Sequence, residues 1–519
     1  MTEGTEKNKT VLIGVDGASW NVINPLIEAG GLPNLKKLII RGSSGILNSI
    51  NPLLSPIIWS TIASGKLPDK HGIKDFFVTG HDIKCKRIWD ILEESGQSVG
   101  IFDYMVTWPP KTVRGFMIPG PFSQGPETFP DYLSFVRELA MEHKNNSSKG
   151  FIQYIHPGIK GIQCGITLSS LYAAVKYIVE QKIKKYEELD KFHFQRIVKD
   201  KIYSDLFMAL YRKYSPSFAV YATNLTDAVQ HNFWKYYDGN QHENIPLKEL
   251  RKYKDIIPRA YMQVDRNIGR IMSMAGEDAT FIIVSDHGFQ AAVEDDLKYV
   301  KKKYINYSIM IRELVKELCL PEGIKYFNLG RTSFIRADRM EKNRIHNIMD
   351  EVKRAEVMVP GEMPCRLFDV TLDNHLNINI KINNELEKLE NLEQMEVLFN
   401  NKKLMLKDII NISNRFSGDH SGEGIIIISG KHIRKSFEIS EASVLDVTPT
   451  ILALLNLPIG KDMDGKVIVE AIESRFLKEY PVTCIESWEE KNSSPEGITE
   501  RDHQSDEDIR SKLAELGYL

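Results

Sequence analysis

Four short apolar runs punctuate the chain: TVLIGVD (Thr10–Asp16), SFAVYAT (Ser217–Thr223), ATFIIVSD (Ala279–Asp286) and GIIIISG (Gly424–Gly430). Each is apolar without regular alternation, rich in Ile, Val or aromatic residues, and bounded by turn formers. That pattern predicts strands covered on both faces. Between them, LPNLKKLIIRG and IWDILEESG carry helical periodicity and close on a glycine suited to the residue after a helix. Strand and helix alternate, so the chain is expected to be an α/β protein with a mostly parallel central sheet and helices on both faces. In such sheets, chemistry gathers beyond the carboxyl ends of the strands.

Two long segments break this rhythm. Residues 126–200 are polar and helical in pattern, and 291–413 mix helices with HLNINIKINN, whose alternation reads as an exposed strand. Both read as insertions into one core built from 1–125, 201–290 and 414–475. Residues 476–519 are charged and polar, and read as a loosely packed extension ending in a short helix.

Composition adds limits. With 42% apolar and 26% charged residues the 519-residue chain is ordinary globular material. A net charge of −3 supplies no global field to recruit a nucleic-acid polymer. No apolar run reaches the length of a membrane span, and the polar start MTEGTEKNKT has no signal core. The five cysteines are scattered, with no C-x-x-C pair. They fit reduced thiols in a cytoplasmic protein, not a disulfide framework or a zinc knuckle.

Candidate chemistry sits at the strand ends. Asp16 ends the first run; Asp286 and His287 end the third; His420 lies in the glycine-rich SGDHSGEG loop before the fourth. Asp227 and His231, in TDAVQH, share one face if that stretch is helical. A single strand-end Asp is most often a turn former or a cap. Three Asp and three His at the ends of one sheet point instead to a metal site, with donors suited to zinc or manganese. The remaining candidate is Ser55, in PLLSPIIWSTIASGKLPDKHGI. Ser before Pro is a favoured helix start, with Ser55 as N-cap. A helix start also favours an anion, and a hydroxyl activated there can serve as a nucleophile. Ser-Pro alone does not separate cap from nucleophile.

The order VLIGVDGAS, SPIIWSTIASGKLPDKHGI, TDAVQHNFWKYYD, IIVSDHGF, GDHSGEG and VLDVTPTILALLNLP resembles the alkaline phosphatase superfamily. The similar branch is the type I phosphodiesterase/nucleotide pyrophosphatase group with its bacterial phosphohydrolase and phosphomutase relatives. That resemblance implies an alkaline-phosphatase-like core and a phosphoric ester hydrolase, most simply a phosphodiesterase acting on a small-molecule phosphate ester or diester. A phosphotransferase or phosphomutase using the same groups is the alternative. It implies Ser55 as nucleophile and two divalent ions, zinc or else manganese. One would be held by Asp16, Asp286 and His287 with Ser55 reaching it, the other by Asp227, His231 and His420. His71 in HGI is expected to fix the loop after the Ser55 helix, and Asp446 to cap the helix at Pro449. Lys66 and Arg331 are candidates to face the phosphate. Ile58 stands where nucleotide pyrophosphatases carry Asn.

Overall fold

A computed structural model describes residues 9–135, 137–138, 155–184, 186–238, 245–291, 417–489 and most of 306–413. These fall into two compact units. One holds the described parts of 1–237, 247–291 and 418–509; the other holds those of 238–246 and 292–417.

The first unit is built on an eight-stranded sheet. Its strands are β1 (Thr10–Val15), β2 (Gly42–Asn48), β3 (Val99–Tyr104), β4 (Gly115–Pro119), β5 (Phe218–Thr223), β6 (Thr280–Val284), β9 (Glu423–Ser429) and β10 (Phe437–Ser443). Their spatial order is β10-β2-β9-β6-β1-β5-β3-β4. β1, β3 and β5 are buried along their whole length, so both faces of the sheet centre are covered. This is why those sequences are apolar without alternation. The expected α/β frame with a mostly parallel sheet is present. One of the four runs departs from it: β9, from GIIIISG, lies antiparallel to both β2 and β6. Two further strands, β7 (Gly288–Ala291) and β8 (Gly418–Ser421), pair antiparallel as a separate ribbon.

Helices form where periodicity and turn residues predict them. α1 (Pro33–Arg41) precedes β2, and α2 (Ser55–Ser64) follows it. α3 (Leu168–Ile183) and α4 (Glu188–Tyr214) come from the polar helical segment, and α5 (Leu225–Tyr237) follows β5. Gly42 does not close α1 in the left-handed region; its φ is −145° and it opens β2. A side chain there would collide with the Ile428 carbonyl, so the close approach of β9 requires glycine.

In the second unit HLNINIKINN forms the strand Asn377–Ile382. It is not exposed. It lies inside a four-stranded antiparallel sheet, between Phe368–Leu372 and Thr332–Arg336, and Ile378, Ile380 and Ile382 are buried in the unit's core. Alternation places one residue set on a face, but burial of that strand depends on neighbours from distant sequence.

The polar tail also packs more closely than its composition suggests. Cys484–Ile485 pairs with Ile459–Gly460, and Trp488 Nε1 donates to the Pro458 carbonyl at 3.0 Å. The expected final helix lies outside the described residues. Among the described residues no helix is long and apolar enough to cross a membrane, and Cys85, Cys164 and Cys484 are free thiols.

Candidate active site

β1 and β5 run parallel, so their carboxyl ends share one edge of the sheet. Asp16 leaves that edge directly after β1. Its carbonyl accepts from the Asp227 amide at 3.1 Å and the Thr226 hydroxyl at 2.6 Å, which ties β1 to the start of α5. Helical α5 then brings Asp227 and His231 onto one face, with His231 Nε2 3.2 Å from Asp227 Oδ1. Beyond β6, on the neighbouring strand, come Asp286 and His287. The ribbon of β7 and β8 sets His420 opposite Phe289, so His420 lies in a strand and not in a loop. Its ring stacks on His287 with centroids 3.6 Å apart. All six expected Asp and His residues therefore converge, and all are buried.

Each histidine is oriented by its own backbone contact. His231 Nδ1 faces the Gly418 carbonyl at 3.2 Å, His287 Nδ1 that of Gly288 at 3.0 Å, and His420 Nδ1 that of Leu53 at 3.0 Å. A carbonyl only accepts, so Nδ1 carries the proton in all three, and Nε2 is turned toward the carboxylates. This is the usual support for a metal-ligating imidazole. His231 Nε2 and His420 Nε2 lie 3.1 Å apart, and Asp227 Oδ1 is 3.2 and 3.3 Å from them. Ligands about 2.0–2.1 Å from a tetrahedral ion are separated by roughly 3.3 Å, so the three donors fit one. His287 Nε2 is 3.4 Å from Asp286 Oδ2, 3.6 Å from Asp16 Oδ1 and 3.4 Å from Ser55 Oγ. Asp16 Oδ1 and Asp286 Oδ2 are enclosed yet accept no hydrogen bond. Two groups could hold a metal ion: Asp227 with His231 and His420, and Asp16 with Asp227 and His287. Asp227 stands in both.

The electrostatics agree with that donor set. Burial, then the charges of Asp286 and Asp227, push Asp16 well above the usual carboxylate range. Burial and Asp227 push Asp286 up to about 6. Burial and then His420 hold His287 far below the usual imidazole range. For Asp227 burial acts upward, but His231 and His420 outweigh it and hold its carboxyl well below the ordinary range. His420 is raised against the effect of burial by its contact with Asp227. Clustered buried carboxylates that raise one another need cations nearby to stay ionised.

Ser55 is fully buried at the start of α2, but it is not the N-cap. Leu54 takes that role: its carbonyl accepts from Ile57 and Ile58, both at 3.0 Å, and no side chain caps the helix. The Ser55 hydroxyl is left to face His287. Pro56 has no N–H and those two amides are used, so the Ser55 amide is the first-turn donor left over.

Other expectations fare differently. His71 is structural: Nδ1 accepts from the Ile73 amide at 3.1 Å, so Nε2 donates to Thr61 Oγ1 at 3.1 Å. Asp446 occupies the position before the helix Val447–Leu454, but its carboxylate accepts from the Ser443 and Lys466 amides and caps no α-helical turn. Lys66 does not face a phosphate. It is buried, with Nζ 2.6 Å from Asp462 and 2.9 Å from Glu489, two carboxylates far along the chain. Arg331 lies outside the described residues. Trp59, one turn after Ser55, carries no motif in the sequence, yet its Nε1 donates to Asp16 Oδ2 at 3.2 Å. The i, i+4 spacing from Ser55 is the only local sign of it.

Buried Asp and His at the carboxyl edge of a mostly parallel sheet, beside a serine opening a helix, define a hydrolytic α/β enzyme. The family model for type I phosphodiesterase / nucleotide pyrophosphatase matches residues 10–370, so the chain belongs to that family, within the alkaline phosphatase superfamily. It is a phosphoric ester hydrolase of the phosphodiesterase/nucleotide pyrophosphatase type. No curated protein matches the chain.

Proposed function

We propose that the protein is a phosphodiesterase that acts through a phospho-serine at Ser55, in a site that takes two divalent ions, zinc or else manganese. The supporting observation is the donor arrangement: three imidazoles fixed through Nδ1, with Ser55 Oγ 3.4 Å from His287 Nε2. Asp16, Asp286 and His287 with Ser55 would hold one ion, and Asp227, His231 and His420 the other. Bound ions would neutralise charge on the phosphoryl oxygens and lower the pKa of the Ser55 hydroxyl. Ser55 Oγ forms the new bond to phosphorus while the ester oxygen on the far side departs, and water later cleaves the phospho-serine. The Ser55 amide and the start of α2 present positive potential to the phosphoryl group. The backbone carbonyls keep the imidazoles turned inward, and Trp59 fixes Asp16. The same reading takes 126–200 and 291–413 as insertions in the core of 1–125, 201–290 and 414–475, with 476–519 as an extension. Scattered cysteines with no C-x-x-C pair, Cys85, Cys164 and Cys484 among them as free thiols, support a reducing, cytoplasmic setting.

The test is Ser55→Ala assayed on bis-p-nitrophenyl phosphate, with bound metal measured in the same samples. A loss of roughly a thousandfold or more in kcat with metal retained is expected. Unchanged turnover would remove Ser55 from the mechanism. Adding an alcohol acceptor and following transferred against free phosphoester separates hydrolase from transferase.

A further inference from the structure

α3 points its apolar stripe outward. At about 100° per residue, Leu168, Tyr172, Val179 and Ile183 fall within an arc of roughly 60°. Ser170 and Tyr177 lie on the opposite side, and those are the buried residues. Leu168 is 73% exposed, Tyr172 69% and Ile183 77%. Among the described residues five large apolar side chains are more than two-thirds exposed, and three of them lie in this one row. The preceding helix, Ile155–Gln163, adds exposed Ile159 and Ile162. An ordinary surface helix turns such a stripe to the core. Single apolar residues on a surface need no cause, but a row along one face marks an interaction site.

The fold holds α3 in this orientation. Thr167, just before it, caps the helix by accepting from the Ser170 amide at 3.3 Å. Its hydroxyl donates to Asp205 Oδ2 of α4 at 2.7 Å, and its amide donates to the same oxygen at 2.9 Å. Farther along, the Tyr177 ring meets Phe194 of α4 with centroids 6.3 Å apart. Rotating the helix to hide Leu168 and Ile183 would break both attachments. The outward stripe is therefore built into the packing of α3 on α4.

Charge decides what the stripe meets. Residues 155–185 contain five lysines, Lys160, Lys176, Lys182, Lys184 and Lys185, and one acid, Glu180. Glu180 is already paired with Lys184 at 2.8 Å. The nearby acids Glu187 and Asp190 are held by Lys252 at 3.1 and 2.6 Å. Lys176 is exposed and borders the stripe. This positive surplus is local, since the whole chain carries a net charge of −3. A symmetric pair of copies would set the same lysine-rich face against itself. An anionic bilayer complements both features: apolar side chains enter the acyl boundary while lysine stems carry their charge to the headgroups. Tyr172 joins an apolar ring to a polar hydroxyl, which suits that boundary. We propose that α3 docks the protein reversibly on membrane surfaces that contain anionic lipid, lying flat with this stripe against the bilayer. Docking of this kind is independent of the chemistry at Ser55.

The test is flotation of the full chain with phosphatidylcholine vesicles, with and without about 30 mol% phosphatidylserine. Affinity for the anionic vesicles is expected to be roughly tenfold higher or more, and to weaken as salt rises. Tyr172→Asp combined with Ile183→Asp should lower that affinity by roughly tenfold or more. Lys176→Glu should lower it about fivefold or more, with little change on the neutral vesicles. All three side chains are exposed and outside the catalytic cluster. Melting temperature and turnover of bis-p-nitrophenyl phosphate in solution should therefore stay at wild-type level. Absence of binding to anionic vesicles, equal binding to both kinds, or binding unmoved by the two aspartates would overturn the proposal. Sedimentation velocity without lipid reads the rival occupant. A dimer that the aspartates split, with no vesicle binding, would give the stripe to a second copy and overturn docking on lipid.

Discussion

Trp59 donates its indole N–H to Asp16 Oδ2 at 3.2 Å, one helical turn after Ser55. The helix that carries the serine therefore also fixes a carboxylate from a different element. Trp59 is in turn held by Tyr104, whose hydroxyl donates to the Trp59 carbonyl at 2.6 Å and whose ring meets the indole edge-on at 5.3 Å. A shift of α2 would displace the serine hydroxyl and the Trp59 donor together, because both lie on that helix.

Trp59→Phe removes that donor while keeping an aromatic ring. Loss of a partner that orients a ligand typically costs 10–100-fold in metal affinity. Competition of the purified protein against a chromophoric zinc chelator is expected to show a weakening of about that size. Unchanged affinity would mean that the bond supports packing only.

Much of this site was legible because strand ends are local features. Asp16, Asp286 and Asp227 follow or lie near apolar runs, and the glycines around His287 and His420 draw attention to those residues, although GDHSG reads as a loop and forms the strand β8. What could not be read depends on distance in sequence. The antiparallel direction of β9 is set by its place between β2 and β6, and its apolar sequence is compatible with either direction. The Ser55 N-cap failed because Leu54 supplies the first helical carbonyl, which no side-chain preference reveals. The partners of Lys66 lie 396 and 423 residues away, so a lysine near the serine looked free to meet a phosphate.

His71 gives a pH-dependent stability with a defined sign. Burial pushes its pKa down to about 4, partly opposed by the charge of Asp69. The unfolded chain takes up the proton first, so its stabilising contribution is complete above about pH 6.5 and is lost as pH falls toward 4. The loss is on the order of 3 kcal/mol. Urea unfolding of wild type and His71→Asn between pH 7 and 4 should show this fall in wild type and a flatter profile in the variant. Parallel profiles would show that His71 is not held neutral by the fold.

Lys66→Met tests the pairing that replaced the expected phosphate contact. Asp462 and Glu489 are each about a third exposed and can rehydrate. The cost is therefore below that of a fully buried pair, at roughly 1–3 kcal/mol. The carboxylates raise the Lys66 pKa against the effect of burial, so its contribution holds below about pH 10.4 and fades as pH rises further. Melting temperature should fall and limited proteolysis near Glu489 should quicken, with kcat/KM on a phosphodiester within about twofold of wild type. A large fall in kcat/KM at unchanged melting temperature would return Lys66 to the substrate site.

Gly14 and Trp59 should be coupled. A Cβ built on Gly14 would lie 2.7 Å from Cη2 of Trp59, closer than carbon atoms approach. Gly14→Ala is therefore expected to push the indole away from Asp16 and to cost about 1–3 kcal/mol through overpacking. A phenylalanine at position 59 lacks that atom, so Gly14→Ala should cost less in the Trp59→Phe background. In a double-mutant cycle read by urea unfolding, the interaction is expected at about 0.5–3 kcal/mol, in the direction of relief. Metal affinity should follow the same logic: Gly14→Ala weakens it when Trp59 is present and adds little once the indole is gone. Additive stabilities, with affinity falling equally in both backgrounds, would show that Gly14 acts through β1 and not through the indole.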